Sequence, residues 1–134
     1  MARVLIVGCD ARGVALAEEL RRRGHLVRGT GRSAPELAAI EAAGAEAVLA
    51  NPDRLGTLLP HLHGISAICW LAGDSPRLEP LVQTLVDTHA RGLVCPPGPG
   101  AEAARRVAAA RNVGLEVVDH PAEMAAALDR MLAI

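Results

Sequence analysis

Short, largely apolar runs recur along the chain, and stretches rich in Ala, Leu and Arg with helical spacing separate them. The runs read Arg3 to Val7, Leu26 to Gly29, Ala45 to Leu49, Ala67 to Leu71, Leu93 to Cys95 and Leu115 to Val118. They are near-continuous rather than alternating, which marks strands covered on both faces. Such strands need helices above and below them, so the alternation predicts six βα units wound about a parallel sheet. Right-handed crossovers then favour strand order 3-2-1-4-5-6, with a ligand crevice beside strands 1 and 4, where the order reverses.

The pattern predicts an α/β chain: a single doubly wound, Rossmann-type domain over residues 1–134 with a six-stranded parallel sheet. That length buries a real core but is too short for an added substrate domain. Local signals support the helices. Ser33 and Glu36 have capping-box spacing before Leu37, Ala38 and Ile40, and Gly44 supplies a stop. Asn51-Pro52 and His120-Pro121 each set Pro at an expected first helical position. Ser75-Pro76 and Pro80 leave the start of the fourth helix open, and Pro96 to Gly100 reads as a loop.

Charge excludes some partners. The 14 basic and 15 acidic residues nearly cancel, so no overall field draws the chain to nucleic acid or to an anionic membrane. No apolar run approaches the roughly 18 to 20 residues that cross a bilayer. After Met1-Ala2-Arg3 the apolar run ending at Gly8 is too short for a secretory signal, so a cytoplasmic setting is expected. Cys9, Cys69 and Cys95 are odd in number and lack CxxC spacing, which argues against a disulfide framework or structural zinc. His61 and His63 precede strand 4, at the sheet end away from the crevice, so no metal site is expected.

The first strand runs through a tight turn into a helix: Val4-Leu5-Ile6-Val7-Gly8-Cys9-Asp10-Ala11-Arg12-Gly13, followed by Val14, Ala15, Leu16, Ala17 and Leu20. Gly8 permits the turn, Gly13 lets the helix lie close to the strand, and free amides of the first helical turn point at a pyrophosphate. Asp10 stands where the second glycine of GxGxxG is expected, and its carboxylate opposes a phosphate unless Arg12 neutralises it. After strand 2, where an acid usually meets the ribose hydroxyls of NAD, the chain reads Gly29-Thr30-Gly31-Arg32-Ser33. No acid stands there. Arg32 with Thr30 and Ser33 instead suits a 2′-phosphate, so the expected dinucleotide is NADP, with NAD as the alternative.

These pieces resemble the atypical and extended short-chain dehydrogenases, the NAD-dependent epimerase and dehydratase group. Val4 to Cys9 is similar to that family's opening strand, Gly31-Arg32-Ser33 to its NADP-type loop, and Ala43 to Val48 to the approach to its third strand. Trp70-Leu71-Ala72-Gly73 resembles its fourth-strand ending, which in the family lies along the cofactor. The resemblance is good to about Gly73 and faint beyond. It implies hydride chemistry by a Tyr and a Lys after strand 4 and a Ser or Thr near the end of strand 5. This sequence has neither Tyr nor Lys, and strand 5 ends in Cys95-Pro96-Pro97.

The reading that follows is a cofactor-binding or regulatory module without short-chain-dehydrogenase catalysis. Its expected binding residues are Gly8, Cys9, Asp10, Ala11, Arg12, Gly13, Thr30, Gly31, Arg32, Ser33, Leu71, Ala72 and Gly73. The alternatives are an atypical NADP-dependent oxidoreductase or epimerase-like enzyme, and a relic with no ligand; a methyl-donor site is weaker. The three cysteines read as small buried hydrophobes, with Cys9, at a helix start, the one placed for reactivity, and Asp74 and Ser75 are placed either to meet a ligand or to cap the loop. The last helix carries Met124, Leu128, Met131 and Leu132 in one stripe, and Ala125, Ala126, Ala133 and Ile134 widen it, which points to a homodimer.

Overall fold

The structure, a computed structural model, describes residues 2–133, so Met1 and Ile134 lie outside the described residues. Strands β1 (Arg3–Val7), β2 (Leu26–Gly31), β3 (Glu46–Leu49), β4 (Ala67–Trp70), β5 (Gly92–Cys95) and β6 (Gly114–Val117) form one parallel sheet. Their order is β3-β2-β1-β4-β5-β6, as the alternation predicts. Outside β1, which matches, strand ends shift by one or two residues from the expected ones. The shift that matters is in β2, where Thr30 pairs with Val48 and Gly31 with Leu49. Thr30 and Gly31 therefore belong to the ladder, not to a loop, and Arg32 starts at the sheet's carboxyl edge.

Helices α1 (Ala11–Arg22), α2 (Ala34–Ala42), α3 (Leu78–Leu85), α4 (Pro99–Arg111) and α5 (Pro121–Leu132) cover the sheet. Successive residues of a strand face opposite ways, and β1 uses both. Val4 and Ile6 join Leu16, Leu20, Met124 and Leu128 in a core under α1 and α5. Leu5 and Val7 join Ile68, Leu81, Leu85, Leu93 and Ala104 under α3 and α4. Each such aliphatic side chain contributes about 1.5–3 kcal/mol on full burial, so the central strands hold the most stabilising part of the molecule.

The expected caps are present at α2 and α5. The Ser33 hydroxyl accepts the Glu36 amide at 3.3 Å, Gly44 follows α2 at φ +84°, and Pro121 opens α5. Pro99 and Gly100, expected in a loop, are the first residues of α4 instead. Asn51-Pro52 starts no α-helix. The Asn51 side chain takes the Asp53 amide at 3.0 Å and Thr57 Oγ1 takes the Asn51 amide at 2.8 Å, so this segment closes on itself as a turn. Two short 3₁₀ turns follow, Leu55–Thr57 and Leu59–His61.

Arg28 fastens that segment to the sheet. Its guanidinium donates to Glu46 Oε1 at 2.9 Å and to the carbonyls of His61 and His63 at 2.7 and 3.0 Å. Two backbone carbonyls and a carboxylate match the several donors of a buried guanidinium.

In α5 the Met124 and Leu128 stripe faces the sheet, but Ala125, expected to widen the outer surface, is fully buried as well. Ala122, Glu123, Arg130 and Ala133 remain on the exposed side, and Ile134 lies outside the described residues. No helix among the described residues is long and apolar enough to cross a membrane.

Candidate functional site

The turn between β1 and α1 is held by β2. The Gly8 amide donates to Thr30 Oγ1 at 2.9 Å, and the Cys9 amide to the Thr30 carbonyl at 3.0 Å. Gly8 sits at φ +80°, and a Cβ there would meet the Ala72 backbone at 3.0 Å, so only glycine fits both the angle and the contact. At Gly13 a Cβ would meet Cys9 Sγ at 2.9 Å. Both glycines thus do what the sequence predicts, one turning the chain and one admitting the helix.

The amides beyond them are arranged differently from expectation. Asp10 is the N-cap of α1, and its Oδ1 accepts the amides of Arg12 at 3.0 Å and Gly13 at 3.1 Å. These are donors that a pyrophosphate would use at a helix start. Asp is a preferred N-cap because its carboxylate reaches just these groups. The first turn of α1 is therefore filled by its own chain, not free. Arg12 reaches Asp10 Oδ2 at 3.5 Å and the Leu71 carbonyl at 3.3 Å, spanning from α1 to the end of β4.

A cleft of about 500 Å³ opens at the carboxyl ends of β1, β2 and β4. Nine expected residues line it: Gly8, Asp10, Arg12, Thr30, Gly31, Arg32, Leu71, Ala72 and Gly73. Trp70, buried in β4, fixes the rim by donating from Nε1 to the Gly73 carbonyl at 2.7 Å. Cys9, Ala11, Gly13 and Ser33 are not among its lining residues. Cys9 is buried behind the turn, and Ser33 spends its hydroxyl on the α2 amide of Glu36.

Four lining residues escaped the sequence reading: Glu36, Ala50, Pro52 and Asp53. Glu36 comes from the first turn of α2, and the other three from the chain leaving β3. The adjacency of β3 to β2 was the available signal, since neighbouring parallel strands end at the same edge. Arg32 contacts this wall, donating to Asn51 Oδ1 and to Asp53 Oδ2, the latter at 3.1 Å. Its side chain is 53% exposed and that of Asp53 78%, so this pair is a weak, solvent-screened one. The cleft holds three carboxylates, those of Asp10, Glu36 and Asp53, against the guanidinium groups of Arg12 and Arg32.

The other candidates resolve into structural roles. Burial pushes the Cys9 thiol up to about 12, with Asp10 adding to the effect, which opposes the thiolate a reactive cysteine needs. Burial raises Cys69 to about 12 and Cys95 to about 11, and Cys69 Sγ packs 3.6 Å from Met124 Sδ. Asp74 accepts the amides of Gly100 at 3.0 Å and Ala101 at 3.1 Å, capping α4, and Ser75 Oγ accepts the Arg77 amide at 3.0 Å. His61 and His63 serve through their carbonyls.

No protein-family model and no curated protein matches the chain. Solved structures do. A putative NAD-dependent epimerase/dehydratase from Bacillus halodurans superposes with TM-score 0.62 at 19% identity, over 79% of this chain and 56% of its own. UDP-N-acetylglucosamine 4-epimerase from Bacillus cereus gives TM-score 0.68 at 10% identity, over 89% of this chain and 53% of its own. A dipicolinate synthase chain from Bacillus halodurans gives 0.68 at 16% identity, over 99% of this chain and 47% of its own. The chain has a Rossmann-type fold. It spans about half the length of these Rossmann-type proteins, and at such identities the likeness is one of fold.

Proposed function

We propose that the cleft at the carboxyl ends of β1, β2 and β4 binds a nicotinamide dinucleotide by its adenosine half, NADP in preference to NAD. The observation that carries this reading is Arg32, whose guanidinium lies in the cleft and donates to the half-buried Asn51 and the exposed Asp53 side chains. A phosphate dianion competes well for a guanidinium in such a pair, because it offers paired, charge-assisted hydrogen bonds. Thr30 and Gly31 form the cleft floor beside it, and Ala50, Pro52 and Leu71 offer an apolar wall for a base.

The adenosine end of the ligand suits these residues, with Arg32 for the 2′-phosphate. Bound there, the nicotinamide would supply hydride chemistry. The chain's own residues do not add the family's acid and base to it, since Tyr and Lys are absent. The reading is accordingly a cofactor-binding or regulatory module. An atypical NADP-dependent oxidoreductase is the alternative for a catalytic role.

A second reading, NAD, draws support from Glu36 and Asp53, because carboxylates in this cleft could accept ribose hydroxyls. Amide resonances followed during NADPH titration test the site. Binding in the cleft moves Gly31, Ala72 and Gly73; shifts confined to the surface of α3 or α5 contradict it.

A further inference from the structure

The Asp10 turn disagrees with half of a dinucleotide. The amides of Gly8, Cys9 and Asp10 donate to Thr30 Oγ1, the Thr30 carbonyl and the Gly8 carbonyl, and those of Arg12 and Gly13 to the Asp10 carboxylate. The turn therefore keeps at most the Ala11 amide for a ligand. Asp10 is covalently part of the turn, so it competes with an external phosphate at a high effective concentration. Its charge also repels the second anion. Arg12 offsets this only in part, since its guanidinium makes an exposed, weak pair with Asp10 Oδ2 at 3.5 Å and also donates to the Leu71 carbonyl.

A second helix start, outside the cleft, is filled in the same way. Asp74 already occupies the amides of Gly100 and Ala101 at the start of α4, beside β4. By contrast, the charged partner of Arg32 is the exposed Asp53, a weak pair that a phosphate can displace. The cleft carries three carboxylates against two guanidiniums, so its charge balance opposes added phosphate in general and leaves the Arg32 guanidinium, whose Asp53 partner is exposed, as the place for one phosphate.

We propose that Asp10 is the turn's own anion, so that the cleft takes a 2′-phosphorylated adenine nucleoside, free or as one end of NADP, and draws no affinity from the pyrophosphate. This rests on the nucleotide-binding reading above and adds which part of the ligand is recognised.

Calorimetric titration of adenosine 2′-phosphate and of NADPH onto the wild-type chain, Asp10→Gly and Asp10→Asn tests it. Gly and Asn are both acceptable N-caps, so α1 should persist in either variant, as thermal melting would verify. On the wild type the two ligands should bind within about threefold of each other, and Asp10→Gly should tighten NADPH about tenfold or more while leaving adenosine 2′-phosphate within about twofold. Asp10→Asn, which keeps an oxygen on the amides without the charge, should give a smaller gain for NADPH.

NADPH binding the wild type about tenfold tighter than adenosine 2′-phosphate, or unchanged or weaker NADPH binding by Asp10→Gly, overturns the inference and leaves the nucleotide reading standing. If neither ligand binds any of the three proteins, the nucleotide reading falls and this inference with it.

Discussion

Nε2 of His25 lies 2.7 Å from Oδ1 of Asp129, tying the chain after α1 to the outer side of α5. Arg23 reaches the other carboxylate oxygen. The hydrogen bond from His25, with Arg23 adding to it, holds the Asp129 carboxyl below its ordinary value of 3.8. The unfolded chain therefore takes up this proton before the folded one does. The stability contributed by the group is complete above the unfolded value and is lost as pH falls through the lower, folded value. Since the Asp129 side chain is 38% exposed, solvent screens the gain, and Asp129→Asn should cost about 0.5 kcal/mol at neutral pH. Urea unfolding of both proteins checks this: the difference should shrink as pH falls below the ordinary value of 3.8, and a constant difference would assign it to packing.

Arg28 should matter more. Removing its guanidinium leaves the His61 and His63 carbonyls and the Glu46 carboxylate without this donor, so Arg28→Met should destabilise by about 2–3 kcal/mol in chemical denaturation. Arg28→Lys should recover less than half, because a point-like ammonium cannot satisfy the planar arrangement of acceptors. Full recovery by Lys would show that charge alone is at work.

Cys9 and Gly13 form a tight pair whose coupling is measurable. A methyl at Gly13 would stand 2.9 Å from Cys9 Sγ, so Gly13→Ala should cost about 1–3 kcal/mol through overpacking. In a Cys9→Ala background the cost should fall by at least about 0.5 kcal/mol, as expected for residues in contact. A double-mutant cycle with no coupling would contradict the packing account. The same burial predicts that Cys9 resists iodoacetamide in the native protein at pH 8 and reacts once urea unfolds it.

Strand order was legible because near-continuous apolar runs leave no exposed face, which forces helices on both sides and leaves few windings. The β1–α1 turn was legible through Gly8 and Gly13, each with a steric reason visible in the structure. The far wall of the cleft was not. Pro52 and Asp53 follow β3, where Asn51-Pro52 reads as a helix start, and only the side-chain bonds of Asn51 and Thr57 reveal a turn. Asp10 lines the cleft where expected, but its N-cap role was hidden for a different reason. Reading it as a replaced glycine of a phosphate motif masked the simpler signal, an Asp directly before a helix, which is a preferred N-cap. Ala125 was misread because small residues on a helix fit a buried contact as well as an exposed one.

Paired titrations of NADPH and NADH onto the wild type and Arg32→Ala read out whether Arg32 makes this cleft a site for a 2′-phosphate. Loss of a charge-assisted pair to phosphate corresponds to about 1.5–3 kcal/mol. The wild type should therefore prefer NADPH by about tenfold or more, and Arg32→Ala should bring the two ligands within about twofold by weakening NADPH alone. An affinity ratio that is unchanged in Arg32→Ala would contradict the assignment.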